Sequence, residues 1–180
     1  CGDGVCNPDS NTCQTCFNDA HCGDGSACVN NECFVLPDGG TCDTPIAYAV
    51  GDIAIGTVAQ GLPNQQGSCG GAASPQTVYR FVPDVDGPVC FQTRGSQFDT
   101  VLYARGTACT GEAAEELACN DNSRFTGNFR SSFALDSVEG SEYFIFVDGF
   151  RGVREGRTNF VLTSRAGACD GDPIPVCADD

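Results

Sequence analysis

Cysteine limits what this chain can fold into more than any other residue: fourteen of its 180 residues are Cys, seven of them in residues 1–33 and seven in the remainder. At that density a reducing cytosol would make the thiols a liability, whereas an oxidising compartment turns them into a disulfide framework. The composition points to an exported protein. The first set is Cys1, Cys6, Cys13, Cys16, Cys22, Cys28 and Cys33, and the second is Cys42, Cys69, Cys90, Cys109, Cys119, Cys169 and Cys177. Both counts are odd, so full oxidation requires at least one bridge between the two stretches or between two chains. Cys109 and Cys119 flank a short loop and are expected to bridge each other, with Cys42 and Cys69 the next expected pair.

The cysteine-dense head repeats itself: Cys1-Gly-Asp-Gly-Val-Cys6 recurs as Cys22-Gly-Asp-Gly-Ser-Ala-Cys28, and Gly-Asp-Gly is a turn signal each time. So short a segment cannot bury a core of its own, and bridges at about 2–4 kcal/mol each are expected to hold it. Cys13 and Cys16 with His21 and Cys22 have zinc-like spacing, but the acidic, Gly-rich, Cys-dense context favours disulfides. The organisation expected is a disulfide module over 1–36, a Pro- and Gly-containing hinge over 37–41, a β-sandwich over 42–168 and an acidic tail over 169–180. The chain starts without Met and without a signal-type apolar run, so it reads as a processed product or a fragment. No segment approaches the roughly 18 apolar residues of a membrane span.

Beyond the head, short candidate strands alternate with Gly, Pro, Asn and Asp. They are 47–59, 76–82, 89–94, 100–105, 115–119, 131–135, 142–147 and 159–163. Tyr79 and Phe81, Phe133 and Leu135, Tyr143, Ile145 and Val147, and Phe160 and Leu162 recur at period two, which places each group on one strand face. Helical periodicity is nearly absent. The fold class expected is all-β, a jelly-roll-like β-sandwich with Greek-key connections and a small disulfide-stapled N-terminal module. Asp84-Val-Asp-Gly87 lies between two of these strands and reads as a hairpin turn rather than part of a calcium loop.

The net charge of -15 is unevenly distributed. Residues 1–79 carry eight acids and no Lys or Arg, residues 80–165 carry twelve acids and all nine Arg, and residues 166–180 carry four Asp. A chain of this charge repels phosphate backbones and anionic lipid, which disfavours nucleic-acid and membrane-surface roles. Arg151, Arg154 and Arg157 cluster in one turn-rich stretch. They read either as a solvated loop paired locally with Glu155 or as a docking surface for the acidic head or tail of a neighbouring copy. The catalytic inventory is thin, with no Lys, a single His in the stapled head, and thiols expected in bridges. A non-enzymatic role is expected.

The strings Thr77-Val-Tyr-Arg-Phe81, Gly95-Ser-Gln-Phe-Asp-Thr-Val-Leu-Tyr103, Glu116-Leu-Ala-Cys-Asn-Asp-Asn122, Ser131-Ser-Phe-Ala-Leu135 and Tyr143-Phe-Ile-Phe-Val-Asp-Gly149 are together similar to the bacterial pre-peptidase C-terminal domain. The resemblance spans residues 42–165. The head resembles the cysteine-rich modules of large secreted proteins of myxobacterial type. The first resemblance implies a jelly-roll-like sandwich appended to exported proteins, some members of which bind calcium or engage extracellular polymers. It also implies a metal set at the ends of adjacent strands: Asp99, Asn120, Asp121, Asn122 and Asp148, whose oxygens suit calcium. Asp and Asn at such places also serve as ordinary turn residues. The extra cysteines and the absence of an attached peptidase depart from the family pattern.

Two functions follow. One is a non-catalytic structural or adhesive protein of the bacterial exterior or cell surface, associating with copies of itself into a filament or matrix through head- or tail-to-sandwich contacts. The other is a calcium-dependent binding or targeting module of a secreted hydrolase, engaging extracellular polysaccharide or protein.

Overall fold

The apolar residues that recur at every second position line the inner faces of two packed sheets. A computed structural model describes residues 5–7, 12–14, 16, 18–29, 31–58, 65–71, 75–110, 115–123, 129–151 and 158–169. The head comprises hairpin β1 (Val5–Asn7) and β2 (Thr12–Gln14), a 3-10 turn at Asp19–His21, and hairpin β3 (Ser26–Val29) and β4 (Glu32–Val35). The body comprises β5 (Ile46–Tyr48), β6 (Ile53–Thr57), β7 (Thr77–Phe81), β8 (Gly87–Gln92), β9 (Thr100–Gly106), β10 (Glu116–Asn120), β11 (Ser132–Ser137), β12 (Tyr143–Gly149) and β13 (Asn159–Ala166).

The body strands form one sheet in the order β10-β9-β12-β7-β5 and another in the order β11-β8-β13-β6. Only β9 and β10 are both consecutive and paired, so the chain crosses repeatedly between sheets in the jelly-roll-like manner expected. All pairings are antiparallel except β5 with β7. Tyr79, Phe81, Phe91, Phe133, Tyr143, Ile145, Val147, Phe160 and Leu162 all enter the core between the sheets. Edge-to-face contacts knit it together, among them Phe81 on Phe91 at 5.2 Å and Tyr48 on Tyr79 at 5.6 Å between ring centroids.

Two local expectations are corrected. Residues 47–59 do not form one strand: Gly51 takes φ +90°, the Asp52 carboxylate accepts from the Ala49 amide at 2.8 Å, and this turn separates β5 from β6. The Asp84–Gly87 segment closes no hairpin, because β7 and β8 belong to different sheets. It arches between them, and Asp86 Oδ1 accepts from the Glu139 amide at 2.7 Å.

The outer face of the five-stranded sheet carries a second apolar cluster of Val78, Val101, Tyr103, Cys109, Phe144 and Phe146, flanked by Cys42, Cys69, Cys119 and Phe150. Tyr103 and Phe146 stack at 4.5 Å, and the Arg105 guanidinium lies 5.0 Å above the Phe146 ring. Two bridges pin this cover, Cys42–Cys109 and Cys69–Cys119, with Cα separations of 5.6 and 5.8 Å. They correct the expected pairs Cys109–Cys119 and Cys42–Cys69. Cys119 sits in β10 opposite Tyr103, whereas Cys109 lies beyond the far end of β9, so the extended hairpin carries these sequence neighbours apart.

Cys90–Cys169 ties β8 to the segment after β13, and Cys16–Cys28 and Cys22–Cys33 staple the head. Each of these five bridges joins two cysteines of the same set, residues 1–33 or residues 42–177. The crossing bridge expected from parity would fall to Cys1, Cys6, Cys13 and Cys177, outside the described side chains. The head is seated on the body by side chains: Asp19 Oδ1 accepts from the Cys28 amide at 2.8 Å and from Asn159 Nδ2 at 2.7 Å, and the Cys28 carbonyl accepts from Gln97 Nε2 at 3.3 Å. No helix among the described residues is long and apolar enough to cross a membrane.

Candidate functional site

The acidic residues gather where β9 begins and β10 and β12 end, at one end of the five-stranded sheet. Asp99 immediately precedes β9 and Asp121 immediately follows β10. Alternation along the strands assigns both to the face that carries Val101, Tyr103 and Cys119. Asp99 Oδ1 and Asp121 Oδ1 are both buried without a hydrogen-bond partner. Burial raises the Asp99 pKa above the ordinary carboxylate value, and the Asp121 charge raises it further, against the pull of Arg130. Burial raises Asp121 as well, opposed by Arg151.

The main chain beneath this pair is held by a buried hydroxyl network. Thr93 Oγ1 and Thr100 Oγ1 lie 2.5 Å apart, Ser131 Oγ bonds the Thr100 carbonyl at 2.5 Å and the Asp121 carbonyl at 2.7 Å, and the Ser131 amide donates to Thr93 Oγ1 at 2.9 Å. The Phe150 amide donates to the Asp99 carbonyl at 2.8 Å. Sequence reasoning missed Thr93, Thr100 and Ser131. Their one signal was polar residues flanking strands, which solvated loops share.

The other residues assigned to the calcium set behave differently. Asn120 Oδ1 accepts from the Ser132 amide at 3.0 Å and Asn122 Oδ1 from the Phe129 amide at 3.0 Å, so both carboxamides brace the loop. Asp148 is fully buried at the end of β12 beneath Gly71: a Cβ at Gly71 would stand 2.3 Å from Asp148 Oδ2, and φ there is +97°. Asp148 Oδ1 accepts from the Gly149 amide at 2.6 Å, while Oδ2 is unpartnered. Burial pushes its pKa up to about 8. Its carboxylate does not converge with those of Asp99 and Asp121 into a three-residue ligand group; among the described residues the one such group is Cys16, Cys22 and Cys33. All three of those sulfurs are in disulfides, which leaves no thiolate there for zinc.

Arg151 adopts φ +55°, places its guanidinium 5.0 Å above the Phe150 ring and acts electrostatically on Asp121 of the same chain. Arg154 and Arg157 lie outside the described residues.

The fold and site define a disulfide-pinned all-β sandwich with paired, desolvated carboxylates at one sheet end. No protein-family model matches the chain, and no curated protein does either. Among solved structures it is similar to the pre-peptidase C-terminal domain of a collagenase from Bacillus anthracis, at 11% identity and TM-score 0.42, over 72% of this chain and 98% of that one. It is also similar to PliG of Aeromonas hydrophila, a periplasmic inhibitor of g-type lysozyme, at 12% identity and TM-score 0.34, over 67% and 99% of the two chains.

Proposed function

We propose that the chain is a non-catalytic, secreted binding module whose sandwich takes calcium at Asp99 and Asp121 and engages an extracellular polysaccharide or protein. The supporting observation is a pair of carboxylates at one sheet end, each with a buried oxygen lacking a partner, the Asp121 charge raising the Asp99 pKa. Such a pair costs stability until a proton or a cation neutralises it. Calcium takes six to eight oxygens in flexible geometry, so two carboxylates at a loop-rich sheet end leave positions for main-chain carbonyls and water. The five bridges fit an oxidising exterior. Because Arg151 serves Asp121 of its own chain, this reading is favoured over self-assembly through Arg151, Arg154 and Arg157.

Thermal unfolding tests the metal. At a hundredfold excess over the dissociation constant a ligand stabilises by about 2.7 kcal/mol, so calcium is expected to raise Tm by several degrees over chelator. Asp99→Asn is expected to lose that increment. Identical melting in calcium and chelator would overturn the metal half. The partner half is checked by saturable binding to insoluble chitin, cellulose or collagen, weakened by chelator.

A further inference from the structure

The two bridges of the head converge on one point. The sulfurs of Cys16, Cys22 and Cys33 all lie within 4.8 Å of one another, although Cys16 is bonded to Cys28 and Cys22 to Cys33. Cys28 stands directly opposite Cys33 in the β3–β4 hairpin. Four sulfurs from two separate bridges thus occupy one small volume, and among the described residues no other cysteines converge in this way. Tetrahedral zinc holds thiolates at about 2.3 Å, which sets its sulfurs about 3.8 Å apart, so the three clustered sulfurs need move together by about 1 Å at most.

The main chain that carries these residues is braced by bonds that do not involve sulfur. The Cys16 amide donates to the Asn31 carbonyl at 3.3 Å, and the Cys16 carbonyl accepts from Asn31 Nδ2 at 3.2 Å. The Cys22 amide donates to the Asp19 carbonyl at 2.9 Å, and the Cys28 amide to Asp19 Oδ1 at 2.8 Å. Asp19 is tied in turn to the sandwich through Asn159. All of these bonds are open to a chain whose bridges have not formed. Every chain begins with free thiols, and bridges follow only where an oxidant is met. Four thiols gathered on braced loops suit a thiolate-preferring cation and not an oxygen-preferring one such as calcium.

We infer that the reduced head is a zinc site made by Cys16, Cys22, Cys28 and Cys33, and that oxidation replaces the metal with two bridges. Zinc displaces four thiol protons as it binds. On oxidation the four thiolates pass four electrons to two equivalents of a disulfide oxidant, which take up four protons and leave as thiols. Two S–S bonds form, and Zn²⁺ is released. This set differs from Cys13, Cys16, His21 and Cys22, whose spacing alone is zinc-like, and it does not rest on calcium at Asp99 and Asp121.

Cobalt is the probe, because its visible spectrum separates four sulfurs in a tetrahedron from oxygen ligands, and zinc is the competitor. With a phosphine reductant and without oxygen, the full chain is expected to develop tetrathiolate bands that saturate at one equivalent and vanish on adding one equivalent of zinc. The oxidised chain should show none. Cys33→Ser should abolish the bands, while Cys90→Ser combined with Cys169→Ser should keep them. Alkylation of the reduced, zinc-loaded wild type, mapped by mass spectrometry, locates the metal without a variant: Cys16, Cys22, Cys28 and Cys33 should be spared while Cys90 and Cys169 react. The inference is overturned if the reduced chain gives no saturable tetrathiolate spectrum or if the spectrum survives Cys33→Ser. Loss of the bands in Cys13→Ser, or protection that falls on other cysteines, would overturn it too, since the metal would then sit on a different set.

Discussion

Asp148 shows how one residue sets a pH response. Its folded-state pKa, pushed by burial to about 8, stands above its ordinary value of 3.8. Between those values the folded chain holds a proton that the unfolded chain has released, so stability falls as pH rises from about 4 to about 8 and stays lowered above. The unpartnered Oδ2 beneath Gly71 and the nearby Tyr103, whose own pKa is raised by burial and then by this carboxylate, belong to the same pocket of low polarity. Asp148→Asn should flatten that dependence and raise stability at pH 8 by about 2 kcal/mol, read from denaturant midpoints across the pH range. A destabilised variant with an unchanged pH profile would refute this assignment. That Asp148 would be buried was not visible in its sequence neighbourhood. Alternation along Tyr143–Gly149 assigns it to the outer face, and only the Gly71 segment folding over that face removes it from water.

At the scale of elements, turn residues bounding short apolar runs located seven body strands closely, and period two marked the core face of four of them, because a strand that buries one face against a core must alternate. It failed where the backbone turned without changing composition, as at Val50–Asp52 between β5 and β6. Sequence proximity also proved a poor guide to disulfides, since a hairpin separates nearby cysteines while sheet cover brings distant ones together. Peptide mapping without reduction should therefore recover Cys42–Cys109 and Cys69–Cys119 and no peptide joining Cys109 to Cys119. Gly67 lets the residue 65–71 segment approach closely, because a Cβ there would stand 2.8 Å from both Cys119 Sγ and a Tyr103 ring carbon. Replacing Cys69 and Cys119 together by Ser should cost about 2–4 kcal/mol and expose this segment to protease before the sandwich unfolds. Unchanged protection of residues 65–71 would show that packing, not the bridge, holds the cover.

At the scale of the molecule, head and sandwich meet through a few polar contacts centred on Asp19, Cys28 and Asn159. Asn159→Ala should remove the bond to Asp19 and cost about 1 kcal/mol or somewhat more. Hydrogen exchange should then quicken at Ala27–Val29 more than in β12, and uniform quickening would mean that head and body unfold as one unit. A cleft lined by Phe34 and Val35 of β4 and by Ile53 and Ile55 of β6 exists only because this docking places the two strands across from each other. Cysteine density, the acid-only ends and strand alternation were enough by themselves to determine an oxidised, acidic, all-β protein with a stapled head, since each depends on composition or on neighbours along the chain. Tertiary structure alone decided which cysteines pair, that Asp99 and Asp121 come to one sheet end with buried, unpartnered oxygens while Asn120 and Asn122 brace the loop, and that Tyr79 keeps an unmatched hydroxyl. Those outcomes depend on which distant segments the crossovers between two sheets bring together, and no local pattern encodes that.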